Sequence, residues 1–467
     1  MNPPWENSTM EHNMQTKSQR PRTCTRRDAL KSGGTVIAAS ALAGAAVSPV
    51  HAAEDNTIRL ALIGSGNRGS GAVGNAIAAA DGPIKLVAMA DILENRLKAS
   101  HKALSNRFGD KIDVPAERQF VGFDAYRKAI DCLRPGDIAM LTAHAGFRRV
   151  HFDYAVDKGM HVFMEKSFAP DPGGLKRMLR AGERAKKKGL KIAAGLMCRH
   201  SPNRQALIRK IRDGQLGEVL FIQAYRMGGG GALPPRPPER NELLWQAARP
   251  GSSHLLWAAS GLMIELLIHQ IDECCWLKDA WPVSVHGVGG RVPEKKDCGQ
   301  NHHAYGMEYT FPDGAVARVD NRNIPKCHND FVTYLHASKC AAQFSGPIHR
   351  SDVHTYKDQR LDEQNIAWKA EPEKKPLHQY EWEVLLDAIR NDTPHNETEQ
   401  AIYANLAAVM GRAAVHSGQI ITWEHAIASD FEFVSNVDDL DYDSPAPVQA
   451  DDEGRYPVPI PGEWSEI

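Results

Sequence analysis

The sequence predicts an α/β chain in two folded parts. A doubly wound parallel sheet comes first, then an α+β region with a mostly antiparallel sheet. Two patterns carry this. From Ile58 to about Gly195, short apolar runs alternate with stretches of helical spacing, which implies parallel strands covered by helices on both sides. Beyond that point strand-like runs follow one another, with Pro312-Asp313-Gly314 placed as a hairpin turn. A length of 467 residues suits two or three domains, and a hydrophobic fraction of 42% suffices for sizeable cores. The order reads as a leader and polar N-terminus over 1–52, a first domain over 53–180 and a second over 181–467.

The most informative stretch is Ile58 to Asp91. Ile58–Ile63 is an apolar run of buried-strand type, followed by Gly64-Ser65-Gly66-Asn67-Arg68-Gly69. Ser70–Ala80 is small and Ala-rich, as a helix packed tightly on a sheet should be, and a second run over Ile84–Ala90 ends on Asp91. A Gly-x-Gly-x-x-Gly turn alone is a weak signal. Strand, turn, helix, strand and acid in register make a Rossmann dinucleotide site. Gly64 permits the tight turn, Gly66 admits the pyrophosphate to the backbone, and Gly69 lets helix and strand pack. Asn67 and Arg68 complete the turn, whose helix N-terminus offers N–H groups to phosphate. Asp91 would accept hydrogen bonds from the ribose. It would repel a 2′-phosphate, and Ile92 and Leu93 supply no arginine, so NAD is favoured over NADP.

The next strands are Asp137–Thr142, His161–Met164 and Lys191–Gly195, with helices over Glu94–Phe108, Asp124–Leu133, Phe152–Lys158 and Leu175–Lys188. Ligands sit beyond the carboxyl ends of such strands, where Thr142, Glu165 and Lys166 stand. Met227–Ser253 is rich in Gly, Pro and Arg without periodicity, and a loop of that length is commonly functional. Met263–Trp276 reads as a helix. Strands over Glu218–Arg226, Val283–Val288, Tyr305–Phe311, Ala315–Asn321 and Phe331–Ala337 follow or flank it. Helices over Gln379–Asn391 and Glu397–Ser417 precede an acidic, Pro-rich tail that reads as surface-bound.

Composition excludes several classes. A net charge of −1 argues against nucleic-acid binding by a broad basic surface. No run reads as a membrane span. Eight scattered cysteines without Cys-x-x-Cys suggest buried thiols, and adjacent His302 and His303 do not suggest a shared metal. Near the N-terminus, Thr25-Arg26-Arg27-Asp28-Ala29-Leu30-Lys31, a mild apolar run over Thr35–Val47 and Val50-His51-Ala52 resemble a twin-arginine export signal with its cleavage site. That predicts a periplasmic protein, loaded with cofactor before export.

Gly159-Met160-His161-Val162-Phe163-Met164-Glu165-Lys166 and Ile264-Glu265-Leu266-Leu267-Ile268-His269-Gln270-Ile271-Asp272 resemble the Glu-Lys-Pro segment and the catalytic helix of the glucose–fructose oxidoreductase and inositol dehydrogenase family (Gfo/Idh/MocA). Gly289-Gly290-Arg291 and Ser417-Gly418-Gln419 match lesser landmarks, over residues 57–425 in all. The resemblance implies a Rossmann domain plus a C-terminal domain whose large open sheet serves homo-oligomers. It implies that Lys166 contacts the reacting hydroxyl and nicotinamide, that His269 is the general acid/base, and that Glu265 stands where Asp is usual. Asp272 would hold the other nitrogen of His269 or a substrate hydroxyl. Ser167 replaces the usual Pro, and Thr142-Ala143-His144 lacks one.

The residues themselves agree less specifically. Oxidising a secondary alcohol needs a base that titrates near working pH, as His does, and a cation beside the developing alkoxide. Glu265 and His269 share a helix face, though any surface helix can carry that pair. Arg199 is a candidate substrate contact or a solvated loop residue. Tyr225, Arg226, Arg236 and Arg240 border the Gly/Pro loop, where arginines suit either an acidic sugar or a charged lid. The tryptophans at 245, 257, 276 and 281 suit core packing more than sugar stacking. The function expected is NAD-dependent oxidation of a sugar, glycoside or cyclitol. The alternatives are a glycosidase working by transient oxidation, elimination and re-reduction, and a ligand-binding sensor without turnover.

Overall fold

The computed structural model describes residues 56–292 and 296–467. The stretch read as an export signal lies outside them. In chain order the first part runs β1 (Ile58–Ile63), α1 (Asn67–Ala79), β2 (Ile84–Asp91), α2 (Glu94–Phe108), β3 (Gln119–Val121) and α3 (Ala125–Ile130). It continues with β4 (Ile138–Leu141), α4 (Ala145–Asp157), β5 (His161–Met164), α5 (Pro172–Lys187) and β6 (Ile192–Ala194). These six strands form a sheet in the order β3-β2-β1-β4-β5-β6, all parallel. The strand order reverses between β1 and β4, which opens a crevice at their carboxyl ends. β1 and β4 are buried on both faces, which is why they read as continuous apolar runs rather than alternating ones.

The second part holds α6 (Pro202–Arg212), β7 (Val219–Gly228), α7 (Glu242–Ala247), α8 (Leu256–Ala259), α9 (Gly261–Lys278), β8 (Ser284–Gly290), β9 (Ala304–Thr310) and β10 (Val316–Asn323). Then come β11 (Phe331–Ala337), β12 (Ala341–Ser345), β13 (His354–Tyr356), β14 (Ile366–Lys369), α10 (Leu377–Arg390), α11 (Thr398–Ser417), β15 (Ile421–Thr422) and α12 (Trp423–Ala428). Nine strands make one sheet, β14-β13-β12-β11-β7-β10-β9-β8-β15. Only the β7–β10 pair is parallel. β9 and β10 alternate buried and half-buried residues, as a sheet with one face on a helix layer must.

Several elements differ from the sequence reading. α7 interrupts the expected long loop. Asn241 caps it by accepting from the Leu244 amide at 2.9 Å, and six residues are too few to show a helical period. Strands β12–β14 are short and went unread. α10 returns to the first sheet, where Trp382 stacks on Phe163 at 4.4 Å between centroids, so Leu60, Leu62, Phe163 and Trp382 share one core. The tail is not confined to the surface. Glu466 is fully buried and accepts from Arg412 at 2.7 Å. Trp245, Trp257 and Trp276 are buried in the core. Among the described residues no helix is long and apolar enough to cross a membrane.

Candidate active site

A cleft of about 1140 Å³ runs from the first glycine turn to α9. It is lined by every predicted cofactor and catalytic position: Gly64, Gly66, Asn67, Arg68, Gly69, Asp91, Thr142, Glu165, Lys166, Glu265 and His269. The three glycines differ physically. Gly64 has φ +95°, and a Cβ there would lie 2.5 Å from the Ala143 amide nitrogen. A Cβ on Gly69 would strike the Gly64 carbonyl and lie 2.6 Å from Thr142 Oγ1. A Cβ on Gly66 would meet no protein atom within 4 Å. Two glycines are therefore required by the fold, while the third keeps open space over the turn.

Asp91 ends β2 with both oxygens engaged by backbone. The Ser65 amide donates at 2.8 Å and the Leu93 amide at 2.9 Å. Burial nevertheless raises its pKa, against those donors. Arg96, one turn into α2, also lines the cleft. No arginine was expected beside Asp91, because the sequence reading stopped at Ile92 and Leu93. Thr142 turns its hydroxyl inward, donating to the Gly64 carbonyl at 2.6 Å, and so ties β4 to the turn.

At the end of β5, Glu165 and Lys166 project into the cleft. Arg68 donates through Nε to Glu165 and reaches Glu381 of α10 and Asn75. Burial opposes ionisation of Glu165, but Arg68 and Lys166 outweigh it and hold its pKa low. The Arg68 guanidinium is thus occupied by protein groups. Lys166 Nζ donates to the Glu265 backbone carbonyl at 2.6 Å. Burial is the largest influence on this ammonium, and with Arg226, Arg249 and Arg148 it outweighs Glu165, lowering the pKa to about 8. The Lys166–Ser167 peptide is cis. Arg148 of α4, absent from the sequence reading, donates to the carbonyls of Ser167 and Ala143. It binds the loops after β4 and β5 together.

α9 supplies Glu265 and His269. Its first turn is fixed by Asn301, which accepts from the Leu262 amide at 2.9 Å, and by Arg412, which donates to the Ser260 carbonyl at 2.8 Å. The Glu265 carboxylate is paired with Arg249. His269 is buried, its Nδ1 has no partner among the described residues, and burial with His349 and Lys166 keeps its pKa well below 6.5. It is a neutral imidazole at neutral pH. His349, from the turn after β12, packs edge-on against it at 4.4 Å between centroids.

Arg199 and Asp272 do not join the cleft. They are paired with each other, Arg199 Nε donating to Oδ2 at 2.9 Å and Nη2 to Oδ1 at 2.8 Å. Three residues beyond His269 is about 60° round the helix, and a carboxylate buried there requires a charged partner. Residues that the sequence reading missed include Arg148, Arg249, His349 and His378. Of these, His349 stands in a turn with no period and left no sequence signal, whereas His378 lies in the first turn of α10.

No family model and no curated protein matches the sequence. Solved structures do match the fold. The aldose–aldose oxidoreductase from Caulobacter crescentus complexed with glycerol gives a TM-score of 0.60 at 18% identity, over 78% of this chain and 99% of that one. Myo-inositol 2-dehydrogenase from Lactobacillus plantarum gives 0.56 at 17%, over 78% and 99%. Myo-inositol dehydrogenase from Lactobacillus casei, in complex with NAD(H) and myo-inositol, gives 0.54 at 17%, over 78% and 96%. What this chain shares with them is the fold, a Rossmann-type parallel sheet followed by an open, mostly antiparallel sheet.

Proposed function

We propose that this chain is an oxidoreductase that moves a hydride between a secondary hydroxyl of a sugar, glycoside or cyclitol and NAD held in the cleft. The observation that carries this is the meeting of Lys166 and His269. One comes from a strand end of the first domain and the other from α9, and the ammonium reaches the carbonyl one turn before the imidazole.

The residues present fit a dinucleotide. The space over Gly66, the free end of α1 and the anchored carboxylate of Asp91 match pyrophosphate and ribose. When bound, the nicotinamide supplies the hydride acceptor. The chain supplies the rest. Neutral His269 accepts the hydroxyl proton, and cationic Lys166 stabilises the developing alkoxide. Arg68 steadies Glu165 and so the strand end that presents Lys166. We favour NAD over NADP because the Asp91 carboxylate, which lines the cleft, would face a 2′-phosphate.

We also propose twin-arginine export to the periplasm, on the order of arginines, apolar run and cleavage site, and assembly of copies through the nine-stranded sheet. Free NAD is scarce outside the cytoplasm, so the cofactor would be retained rather than exchanged. Absorbance and mass analysis of the purified mature protein should reveal bound NAD(H), and sugars should change its 340 nm absorbance. A protein that binds neither NAD nor NADP would sink the proposal.

A further inference from the structure

Around His269, each neighbouring carboxylate already has its own cation. Glu165 is held by Arg68, Glu265 by Arg249, Asp272 by Arg199 and Glu273 by Arg204. Arg226 of β7 is left over. It shares a strand face with Ile222 and Ala224, which are fully buried. Its guanidinium lies over the Phe331 ring at 4.4 Å, and Nη1 meets His349 Nε2 at 2.7 Å. Its Nε and Nη2 have no hydrogen-bond partner among the described residues, and neither is sealed from solvent.

His349 cannot neutralise this charge. An arginine always donates, so Nε2 of His349 is the acceptor and the ring is neutral with its proton on Nδ1. The turn presenting it is built for the purpose. Arg204, itself fully buried, donates to the His349 carbonyl at 3.0 Å, and Ile348 and His349 both hold left-handed backbone, at φ 55° and 59°. The other basic residues bordering the Gly/Pro segment are spent. Arg236 donates to the carbonyls of Pro237 and Arg240, and Arg240 packs over Trp245 at 5.7 Å.

A half-buried guanidinium with a flat ring beneath it, one neutral acceptor and two free donors is a receptor for an anionic oxygen pair. A cation left without a counter-charge in such surroundings is costly unless a ligand supplies one. The pyrophosphate of a dinucleotide belongs at the first glycine turn, whereas Arg226 stands on the sheet side of His269. We propose that the substrate alcohol carries an anionic group, a carboxylate or a phosphate ester, received by Arg226 with His349 fixing the guanidinium plane. This rests on the oxidoreductase reading and names the substrate class for it.

The test compares hexuronates (glucuronate, galacturonate, mannuronate), the matching hexose 6-phosphates and the neutral parent hexoses in single turnovers, reading reduction of the cofactor retained by the full-length protein. At least one acid should exceed its neutral parent by about tenfold or more in the second-order rate constant of that reduction; uronate against phosphate decides the source of the charge. R226Q should bring that ratio to near one, and R226K, which keeps charge but not the planar fork, should fall between. Thermal unfolding shows whether each variant is folded. Neutral hexoses equal to or better than both acids would overturn the inference and leave the oxidoreductase reading intact. If no sugar reduces the cofactor, that reading fails. The anion site is then judged by binding alone. A thermal shift with an acid, absent with its neutral parent and lost in R226Q, supports it, and no shift overturns it.

Discussion

In the proposed reaction, Lys166 is the residue whose charge the chemistry would use most directly. Among the described residues, its ammonium is the only side-chain cation that donates to the carbonyl preceding His269 by one turn. Removing it in Lys166→Ala should lower turnover by about 100-fold or more, the scale of losing one electrostatic stabiliser of a developing oxyanion. The pH dependence follows from its surroundings. Burial and the neighbouring arginines at 226, 249 and 148 bring its pKa down to about 8, with Glu165 pulling the other way. The working form is the charged one, so kcat should fall as pH rises through about 8. Lys166→Arg, charged at every working pH, should remove that alkaline limb even though its geometry slows the reaction. His269 sets no limb near its ordinary value, because it is already neutral well below 6.5. Single-turnover rates of cofactor reduction between about pH 6 and 10 for the three proteins check this; an alkaline limb that persists in Lys166→Arg would assign it to another group.

At the scale of elements, the turn between β1 and α1 separates what the fold requires from what a ligand requires. Gly69→Ala places a methyl against the Gly64 carbonyl and Thr142 Oγ1, both fixed, and should cost about 1–3 kcal/mol of stability. Gly66→Ala points its methyl into open space at an ordinary φ of −77°. It should leave stability within about 0.5 kcal/mol yet weaken NAD binding about tenfold or more, because only a bound phosphate would meet that methyl. Denaturant unfolding beside NAD titration separates the two, and normal NAD binding by Gly66→Ala would remove the pyrophosphate from that turn. The turn was legible in sequence because its parts are consecutive: a buried run, three glycines at fixed spacing, then a second run ending on Asp91. Lys166 and His269 were legible for a similar reason, each sitting in a local motif. The pairing of Arg199 with Asp272, the packing of Trp382 on Phe163 and the presence of His349 beside His269 were not. Each depends on segments brought together across dozens to hundreds of residues, and His349 occupies a turn with no period to announce it.

Over the whole molecule, the buried histidines couple stability to pH in a definite direction. Burial is the leading cause in every case. It lowers His144 and His151 to about 3, and His302 and His378 to about 4, and takes His269 and His349 well below 6.5. A group whose folded pKa is depressed contributes stability above its unfolded pKa, and that contribution is lost as pH falls toward the folded value. For these residues the window opens at about 6.5, where the unfolded chain begins to bind protons that the folded one refuses. Each can cost at most about 1.4 kcal/mol per pH unit there. Glu381, raised well above its usual range by burial and Glu165, works in the opposite sense, as do Asp91 and Asp171. His354 and His395 are lowered by burial too, so eight histidines stand against these three carboxylates, of which Asp91 and Asp171 are stabilised in part by backbone donors. The histidines therefore win between pH 6.5 and 4.5. The melting temperature should fall by at least about 3 °C per unit across that interval. Replacing His151, which packs between Tyr126 and Phe147, with Phe should make the fall shallower. A melting temperature that holds level from pH 7 to 4.5 would mean that these imidazoles are not neutral in the folded protein, and with it would go the assignment of His269 as a proton acceptor.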